Sequence, residues 1–175
     1  MTLILYSLYM VNEKRLVKDF YELKVKQLMD KRVWDLPIIE EDKDIHNVLS
    51  ILSGRHRIWV VRDMESKELV GIITEHDVLS ILAPKHLPSY VFGLPDIRSI
   101  EYGTAKTAGD IMSSKVVTCK PDEKIIDALN KMTRYKLRRI PVLENKKIIG
   151  EITLHHLIRK YYDATQYNPI VDEEG

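Results

Sequence analysis

Two four-residue runs carry side chains whose types and spacing could do chemistry: Thr74-Glu75-His76-Asp77 and Thr153-Leu154-His155-His156. A helix starting after Thr74 would leave its first backbone N–H groups without partners and available to an anion. The Asp77 carboxylate adds two acceptor oxygens to this, and Thr74 a hydroxyl. The same Thr-x-x-Asp letters also resemble a capping box with Asp in place of the usual Glu, so ligand contact and helix capping both stand. In the second run His156 takes the place of Asp77, and a neutral imidazole accepts only one hydrogen bond. His155 and His156 do not form a metal pair, because adjacent helix positions point in different directions.

Other chemistry finds no support. Cys119, the single cysteine, has no His, Asn or Asp placed by the sequence to make it a nucleophile, and it excludes an internal disulfide framework and a cysteine-based zinc site. Gly-rich phosphate loops, Gly-x-Ser-x-Gly and His-Glu-x-x-His are all missing. The expectation is a protein that is not an enzyme and needs no metal and no cofactor. Lys plus Arg number 27 against 26 Asp plus Glu, a net charge of +1, so no global field draws nucleic acid or an anionic membrane. Locally, residues 120–147 hold nine Lys or Arg against four Asp or Glu, concentrated at Arg134, Lys136, Arg138 and Arg139. Without a helix-turn-helix, zinc-finger or RNA-recognition signature, a nucleic-acid partner is not expected. The apolar opening from Thr2 to Val11 is shorter than the roughly 20 residues that span a bilayer and lacks signal-peptide flanks. No membrane insertion and a cytoplasmic location are expected.

The elements that must position these residues come twice. Leu28-Met29 and Ile111-Met112 each precede a short strand signal, Val33-Trp34 and Val116-Val117, and a proline-bearing turn. A helix follows with apolar residues at i, i+3, i+4 and i+7: Ile45, Val48, Leu49, Leu52 in one copy, Ile125, Ala128, Leu129, Met132 in the other. A hairpin comes next, Ile58 to Val61 with Leu69 to Thr74, and Ile140 to Leu143 with Ile148 to Thr153, and a second helix closes each copy. The order is strand, helix, strand, strand, helix, an α/β (α+β) class. The expected division is an N-terminal lead and helix over 1–24, a first repeat over 25–83, a connector over 84–106, a second repeat over 107–162 and a loose tail over 163–175. The lead helix is expected from Glu13 to Met29.

The hairpin run Lys136-Leu137-Arg138-Arg139-Ile140-Pro141-Val142-Leu143 with Ile148-Ile149-Gly150-Glu151-Ile152-Thr153 resembles the signature of cystathionine β-synthase (CBS) domains. The first copy repeats it as Arg57-Ile58-Trp59-Val60-Val61 with Leu69-Val70-Gly71-Ile72-Ile73-Thr74-Glu75-His76-Asp77. The resemblance implies two tandem β-α-β-β-α repeats packed as a Bateman module, commonly a homodimer. It also implies a regulatory adenosine-compound ligand (AMP, ADP, ATP or S-adenosylmethionine) whose bound state is passed to a partner protein.

The site residues implied by the resemblance are Asp77 and Thr74 at ribose and phosphate in the first cleft, with Arg57 reaching the phosphate. A carboxylate suits a vicinal diol, having two acceptor oxygens. In the second cleft the matching positions are Thr153, His156 and Arg138, and the exchange of Asp for His implies that the first cleft is the stronger ribose site. The adenine cage maps to Val33, Trp34 and Val60 in the first copy and to Val117, Thr118 and Pro141 in the second, while Trp59 reads as core. The alternative function is a dimeric scaffold that binds no ligand.

Overall fold

A computed structural model describes residues 18–82 and 105–166. The apolar opening at Thr2 to Val11, residues 13–17 of the expected lead helix, most of the connector and the end of the tail lie outside the described residues. After a helical stretch at residues 18–22, the regular elements are α1 (Val25–Leu28), β1 (Ile38–Glu40), α2 (Ile45–Leu52), β2 (Arg57–Val61), β3 (Leu69–Thr74), α3 (Leu79–Leu82), α4 (Ala108–Ile111), α5 (Ile125–Tyr135), β4 (Arg139–Glu144), β5 (Lys147–Thr153) and α6 (Leu154–Gln166). The expected mixed α/β class is what is observed.

Contacts gather the chain into two compact units, and neither is a simple run of sequence. One holds residues 32–82, 105–116 and 145–148 of those described; the other holds 18–31, 117–144 and 149–166. Each unit therefore joins the hairpin and helices of one repeat to the lead-in of the other.

In the first-repeat unit, β1 pairs parallel with β2 (Ile38 opposite Trp59, Ile39 opposite Val60) and β2 pairs antiparallel with β3. The parallel pair needs a crossover, which α2 supplies. Asp44 caps that helix by accepting the Asn47 N–H at 3.0 Å, which satisfies one of its orphan donors. Ile45 and Val48 are buried, and Ile39, Val48, Ile58, Val60, Ile73 and Ala108 form the core. The lead-in α4 is tied on by main chain: the Ala108 N–H donates to Lys43 O and the Gly109 N–H to Glu41 O, both at 2.8 Å, and Ser113 and Ile72 exchange both of their hydrogen bonds.

The second-repeat unit repeats this scheme. The Val25 N–H donates to Glu123 O at 2.8 Å, the Lys26 N–H to Pro121 O at 2.9 Å, and Asp30 and Glu151 exchange both hydrogen bonds. Its core is Phe20, Val25, Cys119, Ile125, Ala128, Met132, Ile140, Val142, Ile152 and Leu157. The β4–β5 turn has positive φ at Asn145 (49°) and Lys146 (66°), the two-residue geometry that matches strand twist.

The signature glycines follow from this docking. A Cβ on Gly71 would run into the Met112 side chain, with Cγ at 2.9 Å, and one on Gly150 would run into the Asp30 carbonyl oxygen.

Three expectations are corrected. Val33–Asp35 is a 3-10 helical turn, not a strand; the strand begins after Pro37, whose carbonyl accepts the Trp59 N–H at 2.8 Å. Two adjacent apolar residues without alternation are a weak strand signal, whereas Ile38–Glu40 alternates with Ile39 inward. The second copy likewise pairs at Cys119, which makes a single parallel bridge to Val142, two residues past Val117. Finally, the lead helix is interrupted at Leu23 and Lys24. There Leu23 O accepts the Ile125 N–H at 2.8 Å and Lys24 is extended (φ −87°, ψ 148°), so the chain pairs with the second repeat before α1 begins.

Candidate functional site

In the first repeat, β3 delivers Thr74 to a series of turns, and a helix does not start there. The Thr74 N–H and Oγ1–H both donate to Asp77 Oδ2 at 2.7 Å, and the Asp77 N–H donates to Thr74 O at 3.0 Å. The Asp77 carboxylate thus performs the backward half of a capping box, and α3 begins only at Leu79. Arg57 lies opposite Thr74 in the β2–β3 register, with its guanidinium 5.6 Å above the Trp59 ring, a cation–π distance. Trp59 is core, as expected. Val60 is wholly buried, Val33 is half-buried, and Trp34 stands 83% exposed.

In the second repeat α6 begins directly after Thr153. The Thr153 Oγ1 accepts the His156 N–H at 3.1 Å, a forward N-cap, and the Leu154 N–H donates to Arg138 O at 2.8 Å. These two bonds place the first turn of α6 beside the start of β4. An open cleft of about 420 Å³ lies there, lined by Arg138, Arg139, Thr153, Leu154, His155 and Ile158. Arg139 Nη1 donates to Glu151 Oε1 at 3.2 Å, and Glu151 is only 1% exposed. Arg138 is exposed.

The structure thus brings together Arg138 and Thr153 of the second-copy residues singled out in the sequence. His156 is half-buried one step along the helix. Burial first, then the Arg159 and Lys160 charges, hold its imidazole below the ordinary value, with Asp30 acting the other way. Pro141 is buried and Val117 and Thr118 are half-buried; none of the three lines the cleft. Leu154, Ile158 and Glu151 were missed, while Arg139, noted in the basic patch, and His155, weighed as half of a metal pair, were not assigned to the site. Helix geometry held a signal for most of these, since with Thr153 as N-cap, positions 154, 155 and 158 gather at one end of the helix. Glu151 was visible as the one charge in the run Ile148-Ile149-Gly150-Glu151-Ile152.

Cys119 is fully buried, and its burial pushes the thiol up to about 12, far from the thiolate that nucleophilic chemistry needs. Its neighbour Lys131 is held by Glu123 at 2.6 Å and by Thr118 O at 2.7 Å. Among the described residues no group of three or more His, Cys, Asp or Glu could hold a metal ion, and no helix is long and apolar enough to cross a membrane.

Comparison with known proteins adds a family. The family described as "CBS domain" matches residues 25–84 and 108–163. A mitochondrial CBS domain-containing protein of Arabidopsis thaliana, CBSX3, is 30% identical over 102 residues, covering 57% of this chain and 43% of its own length, so the chain spans under half of that relative. Among solved structures, CBSX2 in complex with AMP superposes with a TM-score of 0.62 at 21% identity, over 80% of this chain and 96% of that one. The CBS domain pair of protein MJ0100, in complex with 5'-methylthioadenosine and S-adenosylmethionine, gives 0.55 at 24% identity over 81% and 97%.

Proposed function

Since the chain belongs to the CBS domain family, we propose that it is a non-catalytic regulatory module that binds an adenosine compound and signals its bound state to a partner protein. The observation that carries this reading is the cleft at the start of α6, where Arg138 and Thr153 meet beside two aliphatic side chains. Such a mix suits a ligand with one anionic and one apolar part. Similar structures that hold AMP or S-adenosylmethionine support the ligand class. Within this reading Asp77, Thr74 and Arg57 serve the first cleft, with Val33, Trp34 and Val60 near the base. Thr153, Arg138 and His156 serve the second, with Val117, Thr118 and Pro141. A cytoplasmic setting belongs to the same reading.

The exposed apolar residues Ile158, Tyr161 and Tyr162 on α6, three and four apart, form one stripe. They support self-association as a homodimer, and with it the second reading of a dimeric scaffold. Calorimetry against AMP, ADP, ATP and S-adenosylmethionine separates the two. The regulatory reading expects at least one to bind and to raise the melting temperature, because a ligand selective for the folded state stabilises it. Failure of all four at millimolar concentration leaves only the scaffold.

A further inference from the structure

Glu151 is joined to two parts of its unit at once. Its carboxylate, on a residue only 1% exposed, accepts from Arg139 Nη1 at 3.2 Å, and Arg139 stands in the wall of the second-repeat cleft. Its main-chain oxygen accepts the Asp30 N–H at 2.8 Å, and its own N–H donates to Asp30 O at 3.0 Å. The approach is close because Gly150 has no Cβ, which would meet the Asp30 carbonyl oxygen. Asp30 lies at the end of the lead-in segment 18–31, and that segment is lightly held. Phe20 and Val25 are its buried residues, and α1 is a single turn. Its ion pairs, Lys24 and Lys26 with Asp122 and Glu22 with Lys124, lie between exposed side chains, and such pairs contribute little. Segments with few buried side chains open at the lowest cost in a fold.

We propose that Glu151 is a positioning residue that couples the lead-in segment to the cleft: the docked segment holds Arg139 in the cleft wall, and a ligand that engages Arg139 holds the segment down in return. This role rests on the cleft being a ligand site, as argued above, and names the element through which its occupancy is passed on. A buried carboxylate depends on its hydrogen-bonded cationic partner, so the places of Glu151 and of the Arg139 guanidinium are tied together. The place of Glu151 along β5 is tied in turn to Asp30 by the two main-chain bonds. The guanidinium has donors besides Nη1, so Arg139 can serve Glu151 and a ligand together, and the coupling is positive. Such coupling is reciprocal: what docking does for the ligand, the ligand does for docking.

Hydrogen exchange of the full chain tests this at the Val25, Lys26 and Asp30 amides, which donate to the second repeat, and at the Cys119 and Leu143 amides, which bond to other partners in the same unit. Arg139→Gln should speed exchange at the first three by at least about tenfold, the worth of one charge-assisted contact, and at the other two by less. The double variant Arg139→Gln, Glu151→Gln should bring the three back toward wild type, since a buried charge left without its partner is the costly state. AMP, ADP, ATP and S-adenosylmethionine are then added in turn. Each one that binds should slow the three lead-in amides more than Cys119 and Leu143, and should do so less in Arg139→Gln. Exchange in Arg139→Gln that is unchanged, raised equally at all five amides, or not recovered in the double variant overturns the coupling. Binding that leaves the lead-in amides no better protected than the others also overturns it, with the adenosine reading left standing. Binding of none of the four, with the lead-in amides quickened in Arg139→Gln and recovered in the double variant, upholds the link from Arg139 to the segment and removes the adenosine reading.

Discussion

The closing motifs of the two repeats share a spacing and run their hydrogen bonds in opposite directions. At Thr74 the hydroxyl donates to the Asp77 carboxylate; at Thr153 the hydroxyl accepts from the His156 backbone. The fourth residue supplies the partner in each case. A carboxylate only accepts, so it draws the Thr74 N–H and O–H to itself, and the chain makes turns until α3 opens at Leu79. An imidazole at that place makes no such demand, so the threonine is left to cap the helix and α6 opens at once. The fourth residue sets the partner of the threonine hydroxyl and not where a helix begins, since Thr107, whose N–H donates to the Asp110 carboxylate at 2.9 Å, has a helix opening at once at Ala108.

The largest expected difference between the copies lies in the signature glycines. Gly150→Ala sets a Cβ against the Asp30 backbone oxygen, which accepts the Glu151 N–H, while the Asp30 N–H donates back to Glu151 O. Gly71→Ala sets it against the Met112 side chain, which can rotate away. Overpacking costs about 1–3 kcal/mol, and Gly150→Ala belongs at the upper end, about 3 kcal/mol. Gly71→Ala should cost under about 1 kcal/mol, because Ala also narrows the unfolded ensemble. Urea denaturation of both variants decides it; equal losses would mean that the lead-in segments are not held as described.

Next in size is the closing motif itself. Asp77→Ala removes the acceptor of two hydrogen bonds and should destabilise by about 1–3 kcal/mol. Thr153→Val removes one N-cap acceptor and should cost about 1 kcal/mol. The Thr74→Val loss should be largely contained within that of Asp77→Ala, since their shared bond cannot be lost twice. Thermal melts of the three single variants and the Thr74→Val, Asp77→Ala double variant test this, and full additivity would show that the two side chains do not act together.

These contrasts mark where the sequence was legible. The duplication, the helix faces of α2 and α5 and both hairpins could be read because each buries a periodic face: Ile45 and Val48 in one copy, Ile125, Ala128 and Met132 in the other, are buried as their spacing requires. The first strand was misplaced because three residues pairing with a neighbour leave almost no local pattern; Ile39 is the single inward residue of β1. The exchange of lead-ins was invisible for a different reason. Its hydrogen bonds run between main-chain atoms of segments far apart in sequence, such as the Val25 N–H and Glu123 O, and no side-chain type records them. At the site, the paired letters Thr74 and Asp77 suggested both capping and ligand contact, and the observed bonds supply the first directly. The cleft beside Arg138 depended on the start of α6, which the Thr153 hydroxyl sets and the letters alone left open.

The smallest difference between the repeats is one of pH, and it belongs to His156. Burial foremost, with the Arg159 and Lys160 charges, lowers its folded-state value below the ordinary 6.5. In the window between the lowered value and 6.5 the unfolded chain binds more protons at this residue than the folded chain does, so stability rises with pH there and falls on acidification. The stabilised carboxylates do not confuse the window. Asp110, held down by the Lys106 and Thr107 N–H groups, and Asp122, held down by Lys26 and Lys24, are both lowered from 3.8, so their contribution is lost only as pH falls below that value. His156→Gln keeps the backbone N–H that bonds to Thr153 Oγ1 and removes the titrating ring. The wild type should therefore lose more stability than His156→Gln when the pH is taken from about 7 down through and below 6.5. Denaturant midpoints of the pair at matched pH values give the measurement. Parallel profiles across this range would show that the folded environment does not disfavour the charged ring.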